Sequence, residues 1–288
     1  MRFYRKKWRL FIYLFPVLVV VGGLLSYGIV MGFLESVGRM EGAVTFDYYR
    51  ALIENKQFQR SIGYSLYLTV VSTGISLVIG AWLVHELHKQ LRKHKWQLLV
   101  WVPMLLPHFV AGYLVVLLFS QSGLLSSLFA TLHVTDSIQH FPELTNDRYG
   151  VGIILTYVWK EVPFVILMLL PVYEQMNTKL SEVVTTLGGR KREVFRYAQW
   201  PVLWPVYLEI ALILIAFLLS AFEVPYLLGV TSPKAAPVLA YQWFYEGQWE
   251  MRPYAQALMM VITICTISLA FLIAQSTARH RDRLAKGQ

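Results

Sequence analysis

Six long runs of apolar residues, separated by shorter polar segments, set the pattern of this chain. Each run is at least 22 residues long and carries few charges, which is enough for an α-helix to cross the hydrocarbon core of a membrane. The first run is also too long for the core of a signal peptide. The pattern predicts an all-α membrane protein with six transmembrane helices, over residues 10–31, 61–84, 96–119, 150–173, 201–222 and 253–278.

Two local features refine this prediction. Pro103 and Pro107 interrupt the third run, and proline removes a main-chain donor, so we expect a kink in the third helix. The segment 35–60 is polar and contains Asp47 and two tyrosines, which indicates a short helix lying along the membrane face.

Composition and charge agree with a membrane domain and orient it. Hydrophobic residues make up 56% of the chain and charged residues only 15%, against about a quarter in soluble domains. Of the 26 Lys and Arg residues, 18 lie in the two tails and in the second and fourth connections, and seven lie in the other three. Both termini and the connection 174–201 should therefore face the cytoplasm. This predicts a single transmembrane domain over 10–278 between cytoplasmic basic tails at 1–9 and 279–288.

The net charge of +9 is not a sign of nucleic-acid binding. It is carried by short basic blocks at the ends of the apolar runs, a pattern typical of membrane orientation and of contact with anionic lipids. The single cysteine, Cys265, excludes a disulfide within the chain. His85 and His88 flank a glutamate but lack the spacing of a zinc-protease helix, and Gly188-Gly189 is not followed by a nucleotide-binding lysine. We expect no catalytic residues, no bound metal, no cofactor and no ATP site in this chain.

One polar and basic segment, 180–205, stands between two strongly apolar runs. Its first half predicts a short amphipathic helix, with apolar residues three and four apart at Leu180, Val183, Val184 and Leu187. Gly188 and Gly189 should end that helix, because glycine readily adopts the left-handed conformation. Basic residues follow, and Phe195 belongs to a second helical period that leads to Pro201. A short helix, a glycine turn and a basic stretch between two spans are typical of a docking surface for a soluble partner.

This segment resembles the cytoplasmic loop of permease subunits in binding-protein-dependent type I ABC importers of the MetI-like family. The family pattern is E-A-A-x3-G-x9-I-x-L-P, and here Glu182, Gly188 and Pro201 keep its spacing. Valines replace both alanines, and Ala198-Gln199-Trp200 replaces I-x-L. The resemblance implies a six-helix permease in the bacterial inner membrane. It also implies partner ATPase subunits, a second permease that is homologous or identical, and an extracytoplasmic solute-binding protein.

Four ionisable residues lie at or near membrane depth. Lys160 and Glu161 lie in the middle of the fourth run, Glu209 lies in the fifth, and Glu223 precedes a proline at its end. A lysine at the centre of a lone helix costs about 2.5–3.5 kcal/mol, so Lys160 should face a partner, and Glu209 is the first candidate. The four residues form either inter-helix ion pairs or part of a translocation path. His108, beside Pro107, is either a packing residue or a lining group, and packing is the expected role.

Two function classes follow from these features. In the first, the chain is a transport subunit, and the loop resemblance favours it. In the second, it is a polytopic membrane enzyme, which would need converging nucleophiles, carboxylates or metal ligands at one depth. For a transporter, the intramembrane carboxylates suit a cation, so we expect a small polar solute such as spermidine or putrescine. Thiamine, ferric iron and phosphonate are alternatives that the resemblance also implies.

Overall fold

The computed structural model describes residues 2–39, 42, 44–91, 93–134, 140–176 and 178–286, with side chains given from residue 13 to residue 275 except at 178 and 179. Within these residues the chain is helical and contains no strand. Its α-helices, in chain order from α1 to α13, are Arg2–Ser36, Asp47–Glu54, Lys56–Leu91, His94–Leu105, His108–Phe119, Leu124–Thr131, Val151–Gln175, Thr178–Thr186, Lys191–Val194, Trp200–Ser220, Glu223–Leu228, Ala236–Tyr241 and Arg252–Lys286.

Six helical segments of the described chain are long and apolar enough to cross a membrane, as the hydropathy pattern predicts. They are Tyr13–Ser36, Lys56–Leu91, His108–Thr131, Val151–Gln175, Lys191–Ser220 and Trp249–Gln275. The polar segment before the second span forms α2, so the short helix expected there is confirmed.

Two of these spans differ from the prediction. The third was expected as one kinked helix over 96–119, but the chain breaks at Leu106-Pro107 into α4 and α5. The apolar span of the structure is His108–Thr131, so it extends through α6 into a segment that was expected to be a polar connection. The fifth was expected to begin at Pro201, but its helix begins at Lys191. Residues 195–199 form a π-helical turn there, in which the Trp200 N–H donates to the Phe195 carbonyl. This turn keeps the helix continuous although Pro201 has no N–H to donate.

The chain divides into two compact units. The first comprises residues 1–59 and 239–263. In this unit the Gln256 amide donates to the Glu35 carboxylate at 3.1 Å, and Ser36 and Tyr49 share a hydrogen bond of 2.7 Å. Leu52 of α2 is buried. Most side chains of α1 between 13 and 30 are exposed, as expected of a helix that faces lipid or another subunit.

The second unit comprises residues 60–238 and 264–288, and α7 is its most buried span. One apolar cluster packs α3, α7 and α10 together through residues that include Val84, Val165 and Leu214. A second cluster lies towards the start of α7 and includes Tyr64, Tyr157 and the α11 residues Val224 and Leu228. Because α7 contributes to both clusters, its polar side chains are held in fixed positions inside the unit.

The connections of the second unit gather at its two ends. At one end, the loop before α7 is bonded to the end of α11, since the Asn146 N–H donates to the Leu228 carbonyl at 3.1 Å. At the other end, His85 of α3 packs against Tyr173 of α7 and Phe195 of the π-helical turn. The first group belongs to connections predicted to be extracytoplasmic, and the second to connections predicted to be cytoplasmic.

Candidate functional site

Lys160 is buried in the middle of α7, with 5% of its surface exposed. Main-chain carbonyls accept the hydrogen bonds of its ammonium group. Its ammonium donates to the carbonyl of Pro103 at 2.7 Å and to the carbonyl of Leu106 at 2.5 Å. Pro107 has no N–H, so the Pro103 carbonyl lacks its ordinary helical donor, and Leu106 lies in the break between α4 and α5. A cation at the C-terminal end of a helix is also favoured by the helix dipole.

This arrangement corrects the expectation that Glu209 is the partner of Lys160. Every hydrogen bond that the described structure gives to Lys160 ends on a carbonyl of the α4 end, and Glu209 is half-buried on α10. The sequence indicated correctly that a buried lysine needs acceptors. It did not show that a proline-broken helix supplies two of them.

Glu161, the next residue, makes a different contact because adjacent helical residues point about 100° apart. It is 6% exposed, and its carboxylate lies 3.2 Å from the Nε2 atom of His108 at the start of α5. The imidazole also packs on the ring of Phe217, with 4.8 Å between ring centroids. His108 was expected to be a packing residue, and it has this second, polar role as well.

Two cavities meet at His108 and Phe217. The smaller, about 220 Å³, is lined by Met104, His108, Lys160, Glu161, Phe164, Ile213, Leu214 and Phe217. The larger, about 370 Å³, is lined by His108, Tyr157, Phe217, Ala221, Phe222, Glu223 and Val224. Three of the four predicted ionisable residues therefore line one or other cavity, and Glu209 lines neither of these two.

Two residues of this region were not identified from the sequence. Tyr157 lies one turn before Glu161 on α7, and its buried hydroxyl has no hydrogen-bond partner within the described residues. Phe217 lines both cavities, as His108 does. The sequence signal for Tyr157 was weak, since it consists only of a tyrosine four positions before Glu161. An apolar ring such as Phe217 carries no such signal at all.

The segment 178–199 has the local structure that the glycine pattern predicts. α8 ends in a Schellman motif, in which the Gly188 N–H donates to the Thr185 carbonyl at 3.0 Å and the Gly189 N–H donates to the Val184 carbonyl at 2.9 Å. Gly188 has a φ of +85°, so only a residue tolerant of the left-handed region fits without strain. A Cβ atom at Gly189 would lie 2.6 Å from the Val184 side chain.

The amphipathic face of α8 is not covered by the described side chains. Leu180 is 46% exposed and Leu187 is 83% exposed, while Val184 is half-buried. The Glu182 carboxylate is exposed and makes no ion pair with any described residue. Together these residues form an unpartnered apolar surface with an acidic side chain on it.

The chain after the glycine turn connects this surface to the spans. The Arg190 N–H donates to the Glu193 carboxylate at 3.0 Å, which caps α9. Phe195 then packs between His85 and Trp200, with ring centroids 5.6 Å and 5.8 Å away. Phe195 is therefore the point at which the segment contacts α3, while its own helix continues into α10.

Comparison with known proteins gives one family. The model of the family described as "Binding-protein-dependent transport system inner membrane component" matches residues 76–286. The chain is 25% identical over 251 residues to the inner membrane ABC transporter permease protein YnjC of Escherichia coli K12. The matched region is 84% of this chain and 46% of YnjC. It thus spans less than half the length of that relative.

A second relative and a solved structure are similar over more of their length. The sulfate transport system permease protein CysW of Synechocystis is 23% identical over 235 residues, covering 79% of this chain and 80% of CysW. A crystal structure of a bacterial ABC transporter that imports the acidic polysaccharide alginate superposes with a TM-score of 0.71 at 16% identity, over 97% of this chain and 99% of that one. At this identity the superposition shows a shared fold.

Proposed function

Because this chain belongs to the family of binding-protein-dependent transport system inner membrane components, we propose that it is the permease subunit of an ABC importer. It is a multi-pass inner membrane protein that serves transport and is not an enzyme. Its proposed partners are ABC ATPase subunits, a second permease that is homologous or identical, an extracytoplasmic solute-binding protein and the surrounding lipids. No part of the proposal involves a nucleic acid.

The uncovered face of α8 is the observation that carries this proposal. An apolar helix face exposed beside a rigid glycine turn is the geometry of a helix that seats in a groove of a soluble protein. Leu180, Val184 and Leu187 supply the face, and Gly188 and Gly189 set its angle to the following helix. Burying these leucines against an ATPase would stabilise the complex by about 1.5–3 kcal/mol for each fully buried side chain.

The next step is the transfer of ATPase motion to the spans. A shift of α8 would act on α3 through the contact of Phe195 with His85, and on α10 through the continuous helix that starts at Lys191. Two packed helices would thereby change their tilt together, as in other hinge and shear transitions. Glu182 and Pro201 mark the two ends of this coupling segment.

We place the translocation path at the two cavities beside His108. Lys160, Glu161 and Glu223 line them, and intramembrane charged residues commonly mark solute paths. Glu209, on α10, stays a candidate for an inter-helix contact. In this proposal the path is completed by the second permease, since the cavities are open and the chain is one of a pair.

For the solute, we propose a small polar cation, with a polyamine such as spermidine or putrescine as the first candidate. Glu223 in the larger cavity supports this choice, because its carboxylate would attract an ammonium group. Sulfate, the solute in the name of CysW, and thiamine, ferric iron or phosphonate are the alternatives. Uptake of radiolabelled spermidine by cells that express the complex, challenged with each alternative in excess, decides between them. Competition by sulfate and not by putrescine would reject the polyamine.

The coupling proposal is tested with Leu187→Ser in the complex purified through a tag on the permease. Leu187 is largely exposed in the isolated chain, so the substitution should leave folding intact but reduce the recovered ATPase and the uptake rate. Val44→Ser is the matched control, since Val44 is 57% exposed and lies in a connection predicted to be extracytoplasmic. Normal ATPase recovery and uptake in Leu187→Ser would reject the role of α8.

A second pair of variants isolates the glycine turn. Gly188 has open space around its α-carbon, so Gly188→Val introduces backbone strain of about 1 kcal/mol or more without a clash. Asparagine tolerates the left-handed region. We expect Gly188→Val to uncouple ATP hydrolysis from uptake, Gly188→Asn to retain most coupling, and Glu182→Ala to show a milder defect. Uptake equal to that of the unsubstituted complex in all three variants would mean that the turn is only a connector.

A further inference from the structure

A third cavity lies within the second unit, at the end where the connections predicted to be extracytoplasmic meet. It has a volume of about 570 Å³ and is lined by Arg60, Tyr64, Arg148, Ser232 and Pro233. Arg60 and Tyr64 are one turn apart on α3. Arg148 lies in the loop before α7, and the other two residues belong to the connection between α11 and α12. The cavity thus draws on three separate segments of the chain.

Hydrogen bonds fix these segments to one another. The Ala236 N–H donates to the Ser65 hydroxyl at 2.7 Å, which ties the connection before α12 to α3 beside Tyr64. The loop before α7 ends at Gly150, whose φ of +67° lets the main chain approach Tyr64 so closely that a Cβ atom there would lie 2.7 Å from the tyrosine hydroxyl. The walls of the cavity are therefore built by main-chain contacts and not by mobile side chains alone.

The two arginines at the cavity have exposed side chains, and no described hydrogen bond engages either guanidinium. No carboxylate of the described residues forms an ion pair with Arg60 or Arg148, although both guanidiniums are always charged. The carboxylate of the adjacent Asp147 accepts the N–H groups of Tyr149 and Val151 at the start of α7, and its negative charge also acts on Tyr64.

Tyr64 gives independent evidence for a ligand. The residue is only 7% exposed, it lines the cavity, and its hydroxyl has no hydrogen-bond partner within the described structure. A buried hydroxyl left without a partner costs about 1–3 kcal/mol, so such groups are nearly always satisfied by a protein atom, a water or a ligand.

We propose that this cavity binds a tetrahedral oxyanion, phosphate or sulfate, held by Arg60 and Arg148 with the Tyr64 hydroxyl as a third donor. Two guanidiniums and a hydroxyl match the several acceptor oxygens of such a group, and arginine binds oxyanions through two parallel N–H bonds. The anion is either free in solution or the phosphate of a lipid headgroup. The inference is independent of the proposed solute, because the carboxylates Glu161 and Glu223 line other cavities.

The first arm of the test uses inorganic sulfate. The full chain is purified in detergent with the subunits that accompany it, and sulfate binding is measured by isothermal titration calorimetry. Arg60→Gln and Arg148→Gln should each weaken binding about 10-fold or more, as expected when a charged hydrogen bond is lost. Tyr64→Phe should weaken it by a smaller factor. Arg50→Gln is the matched control, since Arg50 is exposed in the first extracytoplasmic connection and already lies 3.8 Å from Glu54.

The second arm distinguishes the source of the anion. The phospholipid retained by each purified variant is quantified by mass spectrometry, before and after washing with sulfate. Arginine-dependent sulfate binding in lipid-free detergent supports a free oxyanion. Phospholipid retention that falls in Arg60→Gln and Arg148→Gln, but not in Arg50→Gln, supports a headgroup. The proposal is overturned if neither sulfate binding nor lipid retention depends on the two arginines.

Discussion

The ammonium of Lys160 lies 2.7 Å from the carbonyl oxygen of Pro103, and Pro107 has removed the helical donor of that same carbonyl. The break between α4 and α5 leaves carbonyls without helical donors, and the described hydrogen bonds of the Lys160 ammonium end on two of these carbonyls. Lys160 acts as the cap of a helix end inside the membrane, where an unsatisfied carbonyl would otherwise be costly.

Replacing Lys160 with Met should therefore lower the stability of the complex by about 1–3 kcal/mol, because both carbonyls lose their donor. Pro107→Ala restores an N–H that can donate to the Pro103 carbonyl. We expect the loss in the double variant to be smaller than the sum of the single losses. The measurement is the melting temperature of the purified complex by differential scanning fluorimetry.

The control for this experiment is Lys160→Met combined with Glu209→Gln. Since the described hydrogen bonds of Lys160 end on carbonyls of Pro103 and Leu106, we expect these two effects to add. Coupling to Glu209, together with full additivity at Pro107, would contradict the role of Lys160 as a helix cap.

At Gly80, α3 packs closely against α7. A Cβ atom at Gly80 would lie 2.6 Å from the Cβ and Cγ1 atoms of Val165, so Gly80→Ala should cost about 1–3 kcal/mol through overpacking. Val165→Ala in the same chain should recover much of this loss. Gly74→Ala, on the same helix with nothing within 4 Å, should be neutral or slightly stabilising. Equal melting temperatures for the two glycine variants would show that the helices do not approach this closely.

The contact between His108 and Glu161 should behave as a unit in transport. We expect His108→Gln and Glu161→Gln each to reduce the uptake rate, and the double variant to be no slower than the worse single variant, since each substitution removes the same 3.2 Å contact. Uptake by the reconstituted complex is the measurement. His94→Gln, at the exposed start of α4, is the control and should be unchanged. Multiplicative losses in the double variant would show that the two residues act separately.

Membrane topology can be checked with single cysteines placed at exposed positions. In a Cys265→Ser background, cysteines at Glu143 and Thr231 should react with an impermeant thiol reagent added to spheroplasts, and cysteines at Lys93 and Arg190 should not. The reason is the concentration of basic residues in the second and fourth connections. Labelling of the Arg190 position from outside would reverse the orientation and exclude α8 as an ATPase contact.

The architecture was predictable because it depends on patterns that local physics can interpret. Apolar runs gave six spans, and the glycine pair at 188 and 189 gave the end of α8 with its left-handed residue. Both follow from short-range rules: the length that a membrane demands, and the conformational freedom of glycine.

The contacts of the candidate path were not predictable in the same way. A carboxylate was the natural partner to expect for Lys160, whereas the acceptors are carbonyls of residues more than fifty positions away that proline sets free. His108 likewise acquires its polar partner only when α5 packs on α7. The early start of the fifth helix was missed because Pro201 indicates a helix start, and the π-helical turn before it allows the helix to continue.

The thirty residues from Lys191 to Ser220 form one helical rod of about 45 Å, long enough to extend past the hydrocarbon core. A rod of that length is a lever: tilting it by about 5° about one end displaces the other by roughly 4 Å. The Lys191 end of this helix follows the glycine turn. The Ser220 end carries Phe217, which lines the two cavities. A small change in tilt at the membrane surface would thereby move the far end by a distance comparable to the diameter of a small solute, with no local unfolding along the helix.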